Sequence, residues 1–271
     1  MVSQAMNRSA DRRPDSTRAE VGIIASLALL SLAFFVVFPR FDVAVSGWFY
    51  EPGVGFAWGG NNIVRTLYIV GLWIPRLALV MLLISVIASL FVRKGWLHVH
   101  RLRMVFLFVA GTLSVGVAVN ALLKEHWGRA RPVAIAEFGG TARYTPPYEI
   151  SAQCRTNCAF TSGHAAGAFA LLALGRLRSI NIARARRRWL AIGLIAGMIF
   201  GLARIAQGAH FLSDVLFSFF IVYAVIEVVD RVFQWILSYN NRSSESTDDQ
   251  TVGAAATPLA TGGAVGKSAD R

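Results

Sequence analysis

Three short stretches of this chain carry side chains that could do chemistry on an anion. The first reads KEHWGRARP and sets Lys124 and Arg131 seven residues apart. That is two helical turns, so both cations can face one way if a helix continues past Gly128. The second reads TSGH. Ser162 offers a hydroxyl, Gly163 lets the backbone come close to a ligand, and His164 stands where a helix would begin, beside free N–H groups and the positive end of the helix dipole. The third, FGLARIAQGAHFLSD, holds Arg204, His210 and Asp214. His210 and Asp214 are four apart, so on a helix they share a face. A carboxylate behind an imidazole fixes its tautomer and strengthens it as a base or nucleophile. Arg204 supplies a bidentate fork for an anion.

Each stretch also has a plain structural reading: snorkelling cations at a membrane edge, a serine N-cap, a surface His–Asp pair. Together they offer three cations, an amide nest and two histidines, a cradle suited to a phosphate monoester with nearly two negative charges. One histidine can attack phosphorus while the other protonates the leaving oxygen, which is phosphoryl transfer through a covalent intermediate that calls for no metal. A histidine at a helix start is hard to protonate, which suits a nucleophile and opposes His164 as an acid unless a bound phosphate raises its pKa. Three other readings use the same residues. His164, His210 and Asp214 could ligate zinc, although three nearby cations would repel it. The cations could line an anion-transport path, although the spans carry no matching midplane polar groups. A non-catalytic protein could simply bind a lipid phosphate.

The elements that must position these residues follow from composition. The chain has 271 residues, 55% hydrophobic and only 15% charged, with a formal net charge of +12. Soluble domains carry about 25% charged residues. The positive charge lies in short clusters between long apolar runs, which is the pattern of membrane topology and not of nucleic-acid binding. Six spans are expected, at residues 21–38, 74–92, 104–123, 164–174, 189–206 and 215–237, with Pro75 in the first turn of the second. The expected fold is therefore an all-α bundle of six transmembrane helices over residues 21–237. Residues 39–65 form an amphipathic interfacial segment, and 1–20 and 238–271 are expected as disordered cytoplasmic tails. The positive-inside rule puts both termini in the cytoplasm and the three reactive stretches together on the outer face. Cys154 and Cys158, four apart in an outer loop, are expected to form a disulfide.

In this order and on such a chain, Lys124 with Arg131-Pro132, Ser162-Gly163-His164, and Arg204 with His210 and Asp214 resemble the type 2 phosphatidic acid phosphatase (PAP2) superfamily. The resemblance implies a haloperoxidase-like helical core without a cofactor or metal. It implies that His210 is the nucleophile, Asp214 its partner and His164 the general acid, and that Lys124, Arg131, Ser162, Gly163 and Arg204 bind the phosphate. Two positions depart from the family pattern: Thr161 replaces a usual Pro, and Ala203 a usual Ser. The second removes a hydrogen bond worth about 1.5–3 kcal/mol to a charged group. Soluble vanadate-dependent haloperoxidases share the three motifs, and the six spans set this chain apart from them. Within the superfamily, FPRFDVAVSGWFY, PPYEISAQCRTNC and ARIAQGAHFLSDV are similar to bacterial lipid A 4′-phosphatases. Lipid A 1-phosphatase, undecaprenyl diphosphate phosphatase and phosphatidylglycerophosphate phosphatase activities remain alternatives. The resemblance implies a lipid phosphate substrate, lipid A, at the periplasmic face of a bacterial inner membrane. His126, Arg129, Arg143 and Arg155 in the long loop are expected to engage its anionic headgroup.

Overall fold

The structure, a computed structural model, describes residues 15–177 and 182–255. Of the expected tails, 1–20 and 238–271, residues 1–14 and 256–271 lie outside the described residues, as does Arg178 between the fourth and fifth expected spans; residues 15–20 are not a tail but the first turns of a helix that begins at Asp15. The described chain is all-helical apart from two isolated bridges, Glu51 to Gly55 and Ile135 to Ala142. In chain order the helices are α1 (Asp15–Val37), α2 (Phe41–Gly47), α3 (Asn62–Phe91), α4 (Trp96–His126), α5 (Gly163–Phe169), α6 (Ile182–Ala206) and α7 (Leu212–Ala255). Two compact units divide at Asp230 and Arg231; the site lies wholly in the first.

Among the described residues five helices are long and apolar enough to cross a membrane: α1, α3, α4, α6 and α7. The fourth expected span is shorter than the others, since α5 gives way after Phe169 to a 3-10 turn over Ala170–Arg176. It packs mainly on α6. Gly193, Gly197 and Gly201, one helical turn apart, make the groove on α6 that receives it. A Cβ at Gly197 would lie 2.1 Å from the Phe169 ring, and one at Gly201 would lie 2.3 Å from Val215 of α7. Small residues let helix backbones approach where lipid supplies no hydrophobic drive between them.

Three expectations need correction. The second span starts at Asn62, not near residue 74, because Asn61 caps it: its side-chain oxygen accepts from the Ile63 and Val64 amides at 2.9 and 3.4 Å. Pro75 therefore lies inside α3 and not in its first turn. The ring still has a place, since it packs where a Cβ on Gly167 would otherwise stand, at 2.8 Å. The helix of the sixth expected span, α7, runs past residue 237 to Ala255, so the first part of the expected C-terminal tail is helical. Finally, Arg176 and Arg186 of the basic cluster are not loop charges. They are buried in ion pairs with Glu20 and Glu227, at 3.0 to 3.5 Å, and Tyr223 donates to Glu20 at 2.9 Å.

The C-terminal ends of α4 and α6 meet the N-terminal ends of α5 and α7: Gly163 abuts Asn120, the Ser162 amide donates to the Asp214 carbonyl, and Arg204 and Lys124 act on His164. The Arg176–Arg186–Glu20 cluster marks the opposite end. Over the reactive end lies the long loop after α4. It has its own small core of Ala130, Ile135, Ala159 and Phe211, with Val43, Phe138, Ala142 and Tyr144 packed around it.

Candidate active site

The last stretch of α4, Thr112–Leu123, winds as a π-helix, a geometry frequent at functional sites. It ends on Lys124, which is only 9% exposed. The helix does not continue to Arg131, as the seven-residue spacing had suggested. It stops at His126, and Gly128 turns the chain with φ +65°. A side chain at Gly128 would put its Cβ 1.7 Å from the Ser151 carbonyl oxygen. Arg131 thus reaches the site from extended backbone, φ −76° and ψ 155°. Its Nε and Nη2 both donate to the Asn157 carbonyl, at 3.2 and 2.7 Å. Asn157 sits inside the ring closed by the Cys154–Cys158 disulfide, whose Cα atoms are 5.6 Å apart, as the spacing predicted. The same segment is pinned to α4 through the Cys158 amide on the Lys124 carbonyl, 3.2 Å.

Ser162 occupies the N-cap position of α5, but its hydroxyl caps nothing. The Oγ is buried without a hydrogen-bond partner. The Ser162 amide, expected in the anion nest, is already committed to Ser218 Oγ at 2.8 Å and the Asp214 carbonyl at 3.2 Å. The nest begins at Gly163, whose Cβ, if present, would collide with Asn120 Oδ1 at 2.8 Å. His164 follows, its ring stacked on Tyr68 of α3 at 5.0 Å between centroids.

His210 lies in the turn between α6 and α7 and is fully buried. Its Nδ1 is 2.7 Å from the Ala159 carbonyl oxygen. A carbonyl only accepts, so Nδ1 carries the proton and Nε2 carries the lone pair. The expected partner, Asp214, stands farther off, with Oδ2 3.7 Å from Nδ1. That oxygen accepts the Phe211 amide at 2.7 Å, and Oδ1 accepts Arg129 Nη1 at 2.5 Å. Asp214 therefore acts on His210 through space and through the turn it caps, while the Ala159 carbonyl orients the ring directly. Burial, with Lys124 and Arg204 nearby, lowers the His210 pKa to about 4 against the opposing pull of Asp214. His164 is lowered to about 3, first by burial and then by Arg204, His210, Lys124 and Arg76. With pKa values lowered this far, both imidazoles are neutral at pH 7.

Arg129, expected to reach for a headgroup, is entirely buried behind the histidine. Its guanidinium donates to the Thr145 carbonyl (2.8 Å), Ser213 Oγ (2.8 Å), Asp214 Oδ1 (2.5 Å) and Asp42 Oδ2 (2.8 Å), and it lies 4.3 Å over the Phe211 ring. Asp42, from α2, also accepts the Ser213 amide at 2.9 Å, next to the N-terminus of α7. The sequence reading missed Asp42, Tyr68, Asn157 and the Ala159 carbonyl. Asp42 alone left a signal: it is the one acid in the apolar run from residue 21 to 50. The other headgroup candidates remain at the surface. Arg143 pairs with Glu149 at 2.6 Å, His126 Nδ1 lies 2.8 Å from the Leu122 carbonyl, and Arg155 is exposed.

Four polar atoms from the predicted residues are buried without any hydrogen bond: Ser162 Oγ, His164 Nε2, Arg204 Nε and His210 Nε2. Buried polar groups are nearly always paired, and three of these four residues, His164, Arg204 and His210, lie close enough to act on one another electrostatically. Arg204 spends Nη1 on Gln207 and lays its guanidinium 4.9 Å over Tyr68. Lys124 and Arg131 complete the cationic field around it. Ala203, where the family pattern has Ser, is buried. Among the described residues no group of three His, Cys, Asp or Glu side chains could hold a metal ion. Lys124, Arg131 and Arg204 bring three cations to the two imidazoles, a combination that can hold an anion.

Comparison with known proteins bears on this geometry. The sequence pattern of the PAP2 superfamily matches residues 103–237, which contain all three reactive stretches. The chain is similar to the lipid A 4′-phosphatase of Francisella tularensis subsp. novicida (strain U112): 33% identical over 216 residues, covering 78% of this chain and 95% of that protein. It is similar also to the lipid A 4′-phosphatase of Rhizobium leguminosarum, 39% identical over 109 residues, covering 39% of this chain and 45% of the relative. No solved structure matches.

Proposed function

The chain belongs to the PAP2 superfamily, and on that premise we propose that this membrane lipid phosphatase removes the 4′-phosphate of lipid A at the periplasmic face, through a phosphohistidine intermediate. The mechanism rests on one observation above the others: His210 Nε2, His164 Nε2, Arg204 Nε and Ser162 Oγ are all buried without a hydrogen-bond partner, and the charges of Lys124 and Arg204 act on both imidazoles. A phosphate monoester there accepts from Ser162 Oγ and Arg204 Nε and presents its phosphorus to the lone pair of His210 Nε2. Arg204, Lys124 and Arg131 neutralise its charge, and the Gly163 end of α5 receives an equatorial oxygen.

His210 Nε2 attacks phosphorus as the bond to the leaving oxygen breaks. The Ala159 carbonyl holds the Nδ1–H, so the charge that develops on the ring spreads towards an acceptor already in place. His164 gives its proton to the leaving oxygen and, once neutral, activates the water that cleaves the phosphorus–nitrogen bond. Burial and the surrounding cations keep His164 neutral, so its proton arrives with the substrate: a phosphate monoester has a second pKa near 6 and carries a proton in part of its population. This chemistry is phosphoric monoester hydrolysis, the class to which the chain belongs.

The substrate is supported by the relatives' activity and by the position of the site beneath the long loop. The test is mass spectrometry of lipid A from cells with and without the gene, alongside phosphate release by purified protein from a panel of lipid phosphates. Loss of the 4′-phosphate is expected. Loss from the 1-position alone would refute the regiochemistry. Unchanged lipid A with turnover of undecaprenyl diphosphate would refute the substrate and leave the mechanism standing.

A further inference from the structure

The general acid has an unmet need. His164 Nε2 is buried without a hydrogen-bond partner, and the titratable groups that act on the ring are Arg204 from α6, His210 from the α6–α7 turn, Lys124 from α4 and Arg76 from α3. Every one of them disfavours an imidazolium when charged. Yet the ring must hold a proton at the moment the leaving oxygen departs. Among the described residues no carboxylate acts on it as Asp214 acts on His210.

What lies against the ring is an aromatic face. Tyr68 stacks on His164 with centroids 5.0 Å apart and planes 25° from parallel. The register that produces this contact is built into α3. Tyr68, Gly71 and Pro75, at i, i+3 and i+7, share one face of the helix. A Cβ on Gly71 would stand 3.2 Å from His164 Cδ2, and Pro75 fills the space that Gly167 of α5 leaves open. The missing side chains at Gly71 and Gly167 bring α3 and α5 close enough for the two rings to stack. The Arg204 guanidinium rests against Tyr68 as well, 4.9 Å from the ring centroid. One aromatic ring therefore touches the acid and one phosphate-binding cation.

We propose that Tyr68 is a positioning residue for the reaction, holding His164 against its ring and stabilising the protonated imidazole by a cation–π contact until the proton passes to the leaving oxygen. This rests on the phosphohydrolase reading above. The negative face of the ring quadrupole favours a cation over a neutral ring, so the contact is stronger for imidazolium than for imidazole. It is differential stabilisation, present when the acid is charged and weakened when its proton has gone. The phosphorus–oxygen bond pair goes to the leaving oxygen, and the proton on His164 closes that oxygen as an alcohol. Tyr68 itself exchanges no proton in this step; the ring, not the hydroxyl, is what the geometry uses.

The inference separates Tyr68 from a merely structural residue through the leaving group. Tyr68→Phe keeps the ring, and Tyr68→Leu removes it while retaining an apolar side chain. Each is purified and assayed on two phosphates with alcohol leaving groups, lipid A bisphosphate and phosphatidic acid, and on 4-nitrophenyl phosphate, whose phenolate departs without protonation. For Tyr68→Leu, kcat on the alcohol phosphates should fall about tenfold or more, and on 4-nitrophenyl phosphate by less than about threefold. The alkaline limb of its kcat profile on the alcohol phosphates should move to lower pH. Tyr68→Phe should stay within about threefold of wild type on all three. Equal losses of kcat on all substrates, or a change confined to KM through Arg204, would overturn the inference while leaving the phosphatase reading intact. Wild-type protein that released no phosphate from any of the three would overturn both.

Discussion

Removing the Arg129 charge tests whether the site is held from behind by buried electrostatics or dressed in front with loop cations. The guanidinium, Asp42 and Asp214 are all without exposure to solvent, and the two carboxylates flank the one cation. Arg129→Met keeps much of the volume and deletes the charge, leaving two buried carboxylates without their counter-ion. Breaking a buried pair from one side costs about 3–5 kcal/mol. Two lost charge-assisted hydrogen bonds at about 1.5–3 kcal/mol each lead to the same range. For a chain of this size that is a fall in Tm on the order of 10 °C. Turnover should fall too, since the carboxylate freed by Arg129 caps the Phe211 amide beside His210. Arg129→Lys should be intermediate, because one ammonium cannot span Thr145, Ser213, Asp214 and Asp42 at once. Adding Asp42→Asn to Arg129→Met should recover about 1–3 kcal/mol, read as coupling in a double-mutant cycle by thermal unfolding in detergent. A variant with unchanged Tm and raised KM would refute this reasoning and return Arg129 to the headgroup role its place in the loop had suggested.

Three other outcomes follow from the same geometry. His210→Ala and His164→Ala should each abolish turnover with little change in Tm, and acid-labile phosphohistidine should be trapped in the His164 variant and not in the His210 variant; near-normal activity of His210→Ala would exclude the covalent route. The fold holds His210 neutral, with a pKa of about 4, against an unfolded value near 6.5, so the unfolded chain binds the extra proton between those values. Stability from this site is complete above about pH 6.5 and is lost as pH falls towards 4, at up to about 1.4 kcal/mol per pH unit; a Tm that did not fall between pH 7 and 5 would contradict the burial. Opening the disulfide with Cys154→Ser and Cys158→Ser should cost about 2 kcal/mol for so short a ring. It should also raise KM more than it lowers kcat, because Asn157, whose carbonyl holds Arg131, lies within that ring; a pure loss of stability with unchanged KM would detach the ring from the site.

The sequence determined the parts that depend on local spacing and on solvent. Long apolar runs have one stable solution in lipid, so the all-helical fold and most of the spans were legible from hydropathy alone. Alternating direction then carried Lys124, His164, Arg204 and His210 to one end of the bundle, and four residues between two cysteines were enough for the disulfide. Helix boundaries were less legible where a cap competed with hydropathy: Asn61 started α3 twelve residues early and moved Pro75 from the first turn to the interior. What only the tertiary structure decided were contacts between residues far apart in the chain. Asp42 meets Arg129 across 87 positions, Arg129 meets Asp214 across 85, and the Ala159 carbonyl meets His210 across 51. No periodicity encodes such pairs. The local rule correctly put Asp214 one turn from His210, yet a nearer backbone carbonyl took the Nδ1 hydrogen bond and a buried guanidinium took the carboxylate. An ionisable group removed from water is committed to whatever opposite charge the packed fold brings within reach, and that choice is made only when the distant segments have met.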